Sequence, residues 1–212
     1  LMKNDGILPL SSEKSFFVTG ELFEKMRYQG SGSSMINPSF LITPKDAFDK
    51  AGVHYEYYKG YKENQSKTDK TLLEEAARSA SEYDTVLVFM GLTDYVESEG
   101  KDRENMCLPE NQIALVDALI KRKKKIVVIL FGGSPVELPF ANEVEAILNM
   151  YLPGENGGEA ARKLLFGERN PSGKLAETWA KSYHDVPYGE SFSKTPIEVY
   201  KESVFVGYRY YQ

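Results

Sequence analysis

The sequence is poor in the residues that build disulfides and metal sites. It has one cysteine and two histidines among 212 residues, so Cys107 cannot form a disulfide within the chain. His54 and His184 lie far apart in the sequence, which argues against a zinc site. We therefore predict no metal and no cofactor. The compartment stays undecided, because the lack of a disulfide favours a cytoplasmic location and secretion stays open.

Positive charge and long apolar runs are also scarce. The chain has 26 basic and 31 acidic residues, a formal net charge of −5, which is the wrong sign for a protein that binds nucleic acid by neutralising phosphates. The one basic run, Lys121–Lys125, follows an amphipathic segment and is interpreted as a solvated helix end. No segment is apolar enough to span a bilayer. We therefore expect neither a nucleic acid nor a membrane as a partner.

Hydrophobic residues make up 42% of the chain and charged residues 27%, which is typical of a globular protein with one ordinary core. Leu1 is followed by Met2 and by no apolar signal region. We therefore expect the chain to be a piece of a longer polypeptide if its start is natural.

Apolar runs alternate with amphipathic segments. Strands are predicted at Thr85–Met90, Lys125–Phe131 and Ala146–Tyr151, with weaker patterns at Ser15–Thr19 and His54–Lys59. Helices are predicted at Thr71–Tyr83, Pro109–Arg122 and Gly158–Phe166, the last ending at Gly167. This order predicts an α/β fold with a mainly parallel sheet, helices on both faces and right-handed crossovers.

Ligands of such sheets gather at the carboxyl ends of the strands, where three loops have unusual compositions. Gly91–Leu108 is acidic, Gly132–Pro135 is a tight turn and Pro153–Gly158 is polar and rich in glycine. Neither glycine-rich segment has the spacing of a nucleotide-binding motif, and tight turns explain both. Ser33, in the small-residue segment Gly30–Ser34, has no histidine nearby in the sequence, which argues against a nucleophilic serine.

The acidic loop contains Glu97, Glu99, Gly100, Asp102 and Arg103. A carboxylate at a loop tip, beside a glycine and charged neighbours, has the freedom that a general acid/base needs. Acidic loops on acidic proteins are also commonly just solvated. Composition alone leaves both interpretations open.

Several motifs, taken in order and spacing, carry a resemblance to a known family. They are Leu1–Gly6 with Leu8–Leu10, Gly30–Ser34, Glu97–Arg103 ending at Leu108–Pro109, Gly133–Glu137, Asn170–Leu175 and Val206–Tyr211. Along nearly its whole length the chain resembles the α/β sandwich domain that follows the barrel in family 3 glycoside hydrolases. The resemblance implies a six-stranded, flavodoxin-like sandwich packed against a (β/α)8 barrel, with the active site between them. Residues 1–14 would be the junction, 15–180 the sandwich and 181–212 an aromatic-rich extension of the same domain.

The same resemblance implies a retaining β-glycosidase, most often a β-glucosidase, that hydrolyses terminal sugars. An Asp of the barrel would be the nucleophile, and Glu99, before Gly100 in the Glu-Gly-x-Asp-Arg pattern, would be the acid/base. Glu97 is the runner-up, because a shift of two residues in the loop alignment is easy. Asp102 and Arg103 would contact substrate or support the loop as a pair, although an ordinary surface ion pair is an equal alternative.

The mechanism requires the acid/base to be protonated at the start of the reaction. We expect partial burial of Glu99 and the negative nucleophile of the docked barrel to provide this. The isolated chain, without a nucleophile, is predicted to be inactive. Two alternatives stay open: a non-catalytic structural or binding module, and a barrel that carries its own acid/base, as in relatives acting on N-acetylglucosamine.

Overall fold

The computed structural model describes residues 1–192, 194–197 and 199–211. The strands are β1 Lys3–Asn4, β2 Phe16–Thr19, β3 Tyr55–Tyr58, β4 Thr85–Gly91, β5 Lys125–Phe131 and β6 Ala146–Asn149. They form one sheet in the order β1-β6-β5-β4-β2-β3. Only the pairing of β1 with β6 is antiparallel, and the other four pairings are parallel. The predicted α/β class with a mainly parallel, six-stranded sheet is confirmed.

Four α-helices cover the sheet: α1 Pro44–Ala51, α2 Lys70–Ser79, α3 Glu110–Lys121 and α4 Gly157–Leu165. On one face, α2 and α3 pack against the side chains of Val86 and Val88. On the other face, α1 and α4 pack against Leu87 and Phe89. Consecutive residues of β4 therefore enter opposite cores, so the strand is apolar throughout, as buried parallel strands are.

Two elements were missing from the sequence prediction. Strand β1 has only two polar residues, and its pairing with β6 is a tertiary contact that no local pattern reveals. Helix α1 buries little apolar surface, chiefly Ala47 and Phe48. Its start was visible in the sequence, because Thr43 and Asp46 form a capping box around Pro44 at the first turn.

Several predicted boundaries were wrong by a few residues. Helix α2 begins one residue earlier, after the capping residue Asp69, and its predicted last turn is a 3-10 turn at Ala80–Glu82. Pro109 precedes α3 as its cap residue. Strand β6 ends at Asn149, because Tyr151 has a positive φ of 50° that is incompatible with a strand.

After α4 the described chain forms only 3-10 turns, at Tyr183–Asp185, Gly189–Ser191 and Gly207–Arg209. Trp179 still packs against the core. Many apolar side chains beyond it are exposed: Tyr188, Phe192, Ile197, Val199, Tyr200, Val204, Phe205, Val206, Tyr208 and Tyr210. The extension predicted at 181–212 includes Ser193, Glu198 and Gln212, which lie outside the described residues.

Candidate active-site loops

Three loops lie at the carboxyl edge of the neighbouring strands β2, β4 and β5. The loop after β2 contains Gly30–Ser34, the loop after β4 contains Glu97 and Glu99, and the loop after β5 contains Gly132–Pro135. Parallel strands that pair side by side bring these ends together. Between them, the carboxylates of Glu97 and Glu99 consequently contact polar groups from both neighbouring loops.

Glu97 is half-buried, with donors on both sides. One carboxylate oxygen accepts hydrogen bonds from Arg27 Nη1 at 2.6 Å and from the Gly133 backbone N–H at 2.9 Å. The other oxygen accepts one from the Ser134 hydroxyl. The side chain is 18% exposed. Glu97 is therefore an ion-paired carboxylate that connects all three loops.

Arg27 is the cationic partner of Glu97 and is 7% exposed. Its Nη1 also donates to the Leu92 backbone oxygen at 3.1 Å, and its Nη2 donates to the Glu97 backbone oxygen at 2.9 Å. Its Nε lies 3.3 Å from a carboxylate oxygen of Asp94. One guanidinium thus contacts the start, the middle and the far part of the segment that leads to Glu99.

Glu99 lies two residues further on, at the exposed tip of the loop. One carboxylate oxygen accepts from the Ser33 hydroxyl at 2.6 Å and from the Ser33 backbone N–H at 2.5 Å. These two hydrogen bonds lower the pKa of Glu99 below its ordinary value, because they stabilise the charged form. The expected partial burial of Glu99 is absent in this chain, so any rise in its pKa requires a further surface.

Gly32 makes the contact between Glu99 and the small-residue segment possible. It has a φ of 104°, and a β-carbon placed on it would lie 2.4 Å from a carboxylate oxygen of Glu99. Only glycine tolerates both the backbone conformation and this close approach.

Asp102 and Arg103 do not form the predicted ion pair within the described residues. Arg103 instead turns to the loop after β5, where its Nη1 donates at 3.0 Å to the Ser134 hydroxyl and to the Pro135 backbone oxygen. Burial lowers the pKa of Arg103. Asp102 is exposed. Arg103 thus contacts the neighbouring turn, and its role in supporting the loop stays a prediction.

Four participants of the site were not predicted from the sequence: Arg27, Gly133, Ser134, and Ser33 as a donor to Glu99. Ser33 was considered only as a nucleophile, and the glycine-rich turn only as a turn. Their partners are more than 30 positions away in the sequence, up to 70 for Arg27. The one available signal was position, because Gly133 and Ser134 lie in a loop that follows a predicted strand, and Arg27 and Ser33 follow the weaker strand pattern at Ser15–Thr19.

No cluster of three or more His, Cys, Asp or Glu side chains within the described ranges is arranged to hold a metal ion. No helix in the same residues combines the length and the apolar character needed to cross a membrane. A cavity of about 860 Å³ lies between the acidic loop and the C-terminal segment, and Lys101, Asp102 and Tyr208 contribute to its walls. The loop therefore borders a space of the size that small ligands occupy.

The sequence profile of the glycosyl hydrolase family 3 C-terminal domain matches residues 1–208. The chain belongs to this family. It is 44% identical to thermostable β-glucosidase B of Acetivibrio thermocellus over 216 aligned positions, which cover 100% of this chain and 29% of that protein. It is 35% identical to an exo-α-(1→6)-L-arabinopyranosidase of Bifidobacterium longum, with the same coverage of both chains.

A solved relative agrees in three dimensions. The crystal structure of a family 3 β-glucosidase of Bifidobacterium adolescentis superimposes with a TM-score of 0.91 at 40% identity, covering 100% of this chain and 32% of that one. The chain spans about 29% of the length of the two sequence relatives above. The resemblance inferred from the motifs is thus confirmed, and the chain is a domain of the glycoside hydrolase kind.

Proposed function

We propose that this domain supplies Glu99 as the acid/base of a retaining β-glycosidase whose Asp nucleophile comes from a (β/α)8 barrel of the same protein. The observation that carries the proposal is the contrast between the two carboxylates of the acidic loop. Glu99 is exposed and its carboxylate is bonded through one oxygen only, whereas Glu97 is half-buried and bonded through both.

This contrast favours Glu99 over Glu97 as the proton donor. An acid must present a carboxyl oxygen to the leaving group. Both oxygens of Glu97 accept hydrogen bonds, one of them from the Arg27 guanidinium, so neither oxygen is left to face a leaving group. Glu99 has a second oxygen for which no donor is present among the described contacts. Protonation of that oxygen preserves the bonds from Ser33.

In the retaining mechanism, two carboxyl groups about 5–5.5 Å apart act in two steps. Protonated Glu99 donates its proton to the glycosidic oxygen while the barrel Asp attacks the anomeric carbon. Glu99, now a carboxylate, then takes a proton from the water that releases the sugar. The first step needs a raised pKa, which the like charge of the Asp and the exclusion of water by the barrel would provide against the lowering effect of Ser33.

The proposed substrate is a terminal β-glucoside. The support is the activity of the relatives at 44% and 40% identity, both of which are β-glucosidases. An arabinopyranoside is the second candidate, on the strength of the relative at 35% identity. Substrate preference at the non-reducing end would depend mainly on the barrel.

The test compares the full-length polypeptide that contains this chain with the chain by itself. We expect the full-length protein to hydrolyse nitrophenyl β-glucoside and to release β-glucose as the first anomer, which proton NMR detects before mutarotation. The isolated chain should show no turnover above a blank preparation. Release of α-glucose first, or hydrolysis by the isolated chain, would contradict the proposal.

A further inference from the structure

Arg27 connects the acidic loop to the interior of the domain, and the reaction as written above gives it no role. Its guanidinium donates to the backbone oxygens of Leu92 and Glu97 and to the Glu97 carboxylate. These acceptors lie at the beginning and near the end of the segment between β4 and Glu99. The backbone of this segment is therefore fixed at two points before Glu99.

We propose that Arg27, through its ion pair with Glu97, is a positioning residue that fixes Glu99 at the distance required for proton transfer to the glycosidic oxygen. The inference rests on the proposed function and adds a residue to it. Glu97 would then hold the loop in position and would not be the catalytic acid/base.

The surroundings of the Arg27–Glu97 ion pair suggest that it fixes the position of the loop more than it stabilises the fold. Replacing a buried ion pair by apolar residues is often neutral for stability, so the pair alone adds little to it. The ion pair instead fixes the orientation of the loop, because the planar guanidinium of Arg27 binds two backbone oxygens and a carboxylate at the same time. The Gly133 N–H and the Ser134 hydroxyl complete the carboxylate's shell from the other side.

The outer contacts of the same loop are weaker anchors. Ser31 donates to Asp94, and Ser33 donates twice to Glu99, but all three of these hydrogen bonds are at the exposed surface. Exposed polar contacts contribute little, because water competes for both partners. The ion pair between the buried Arg27 and Glu97 is thus the contact that limits the movement of the loop as a whole.

A shift of the loop would act on the chemistry in a specific way. A displacement of about 1 Å at a reacting group can cost about 10²-fold in rate. The loss would fall on substrates whose leaving group needs protonation, since an activated leaving group departs without Glu99.

The test is a double-mutant cycle in the full-length enzyme with the variants Arg27→Lys, Glu99→Ala and both together. We expect Arg27→Lys to lower kcat/KM about 10²-fold for alkyl β-glucosides, and much less for 2,4-dinitrophenyl β-glucoside. In the Glu99→Ala background the same change should alter kcat/KM by no more than about twofold, near the additivity error of such cycles. Melting temperature and circular dichroism report on folding.

Arg162→Lys is the matched control. Arg162 is 8% exposed and lies on α4, away from the three loops, where it pairs with Glu159 of the same helix and with Glu168 just after the helix. It undergoes the same chemical change at the same burial, and it should leave the dependence on the leaving group unaltered. If Arg27→Lys fails to fold, Glu97→Gln takes its place in the cycle, because the glutamine oxygen can still accept from the Gly133 N–H and its NH2 can donate to the Ser134 hydroxyl, while the charge that pairs with Arg27 is lost.

The outcomes separate the inference from the proposal on which it rests. A loss that is equal for all leaving groups, and equal with and without Glu99, would mean that Arg27 serves folding only, and it would overturn the inference alone. If Glu99→Ala itself shows no dependence on the leaving group, the proposed function fails and the inference fails with it.

Discussion

At the scale of single residues, Gly32 brings two distant segments of the sequence together. A β-carbon at this position would lie 2.4 Å from the Glu99 carboxylate and 2.5 Å from the Glu99 β-carbon. We predict that Gly32→Ala in the full-length enzyme displaces Glu99 and lowers kcat/KM about 10²-fold for poor leaving groups, the cost of a misplaced catalytic group. Steady-state kinetics with alkyl β-glucosides measures it.

Gly6→Ala is the control for this substitution. Gly6 has a φ of 94°, close to that of Gly32, and nothing lies within 4 Å of its added β-carbon. Both variants incur the strain of a positive φ, about 1–2 kcal/mol, but only Gly32→Ala incurs the clash. Equal activity of the two variants would show that contact with Glu99 is not needed.

Glu21 gives a second residue-scale prediction, which concerns pH. Burial raises its pKa, but the Glu63 backbone N–H and the ammonium groups of Lys25 and Lys59 together lower it below the ordinary value. A lowered pKa in the folded state stabilises the fold above about pH 4.5, and this contribution disappears as the pH falls through the lowered pKa. The domain should therefore lose stability on acidification partly through Glu21.

We predict that Glu21→Gln lowers the free energy of unfolding at pH 7 by about 1–3 kcal/mol, since it weakens hydrogen bonds to a buried charged group. The difference from the wild type should shrink toward acid pH. Urea denaturation at pH 7 and at pH 3.5 measures it. The exposed Glu82→Gln is the control, and a difference that stays constant with pH would contradict the assignment.

At the scale of elements, the starts of α1 and α4 lie so close together that no β-carbon fits between them at Gly158. A β-carbon on Gly158, at the start of α4, would lie 2.1 Å from the Thr43 carbonyl carbon, at the cap of α1. The neighbour is backbone and cannot rotate away. We predict that Gly158→Ala destabilises the domain by about 1–3 kcal/mol, the usual cost of overpacking, as measured by thermal unfolding. Gly173→Ala, where nothing lies within 4 Å, should change the melting temperature little; similar losses for both variants would contradict this packing.

The elements also show what the sequence could predict. Strands β4 and β5 were found almost to the residue, because a strand buried on both faces is a continuous apolar run. Strand β1 and helix α1 were missed, because pairing with β6 and packing on α4 decide them. The acidic loop was found from composition and motif, but its anchors were not, since Arg27 contacts Glu97 across 70 positions of sequence.

At the scale of the whole molecule, the described C-terminal segment exposes more apolar side chains than a free domain ordinarily does. Ile197 is 75% exposed, Tyr200 83% and Tyr208 70%. Exposed apolar patches larger than a few hundred Å² mark surfaces that bind another surface. We interpret the segment as part of the face against which the barrel would pack. The same docking would remove water from Glu99, which the chain alone leaves exposed.

Under the proposed function, Glu99 and not Glu97 is the acid/base. Azide distinguishes the two residues in the full-length enzyme. Without its acid/base, a retaining glycosidase should lose about 10²–10⁴-fold in rate on poor leaving groups. Activated aryl glycosides should still form the glycosyl-enzyme. This intermediate then accumulates, because no base deprotonates water, until a nucleophile that needs no deprotonation is added. We predict that azide restores turnover of Glu99→Ala and yields a β-glycosyl azide, whereas Glu97→Ala, which displaces Glu99 but keeps it as the acid/base, shows a leaving-group dependence like that of Arg27→Lys and no rescue. Rescue of Glu97→Ala alone would move the acid/base by two residues, and rescue of neither would contradict a catalytic role for this loop.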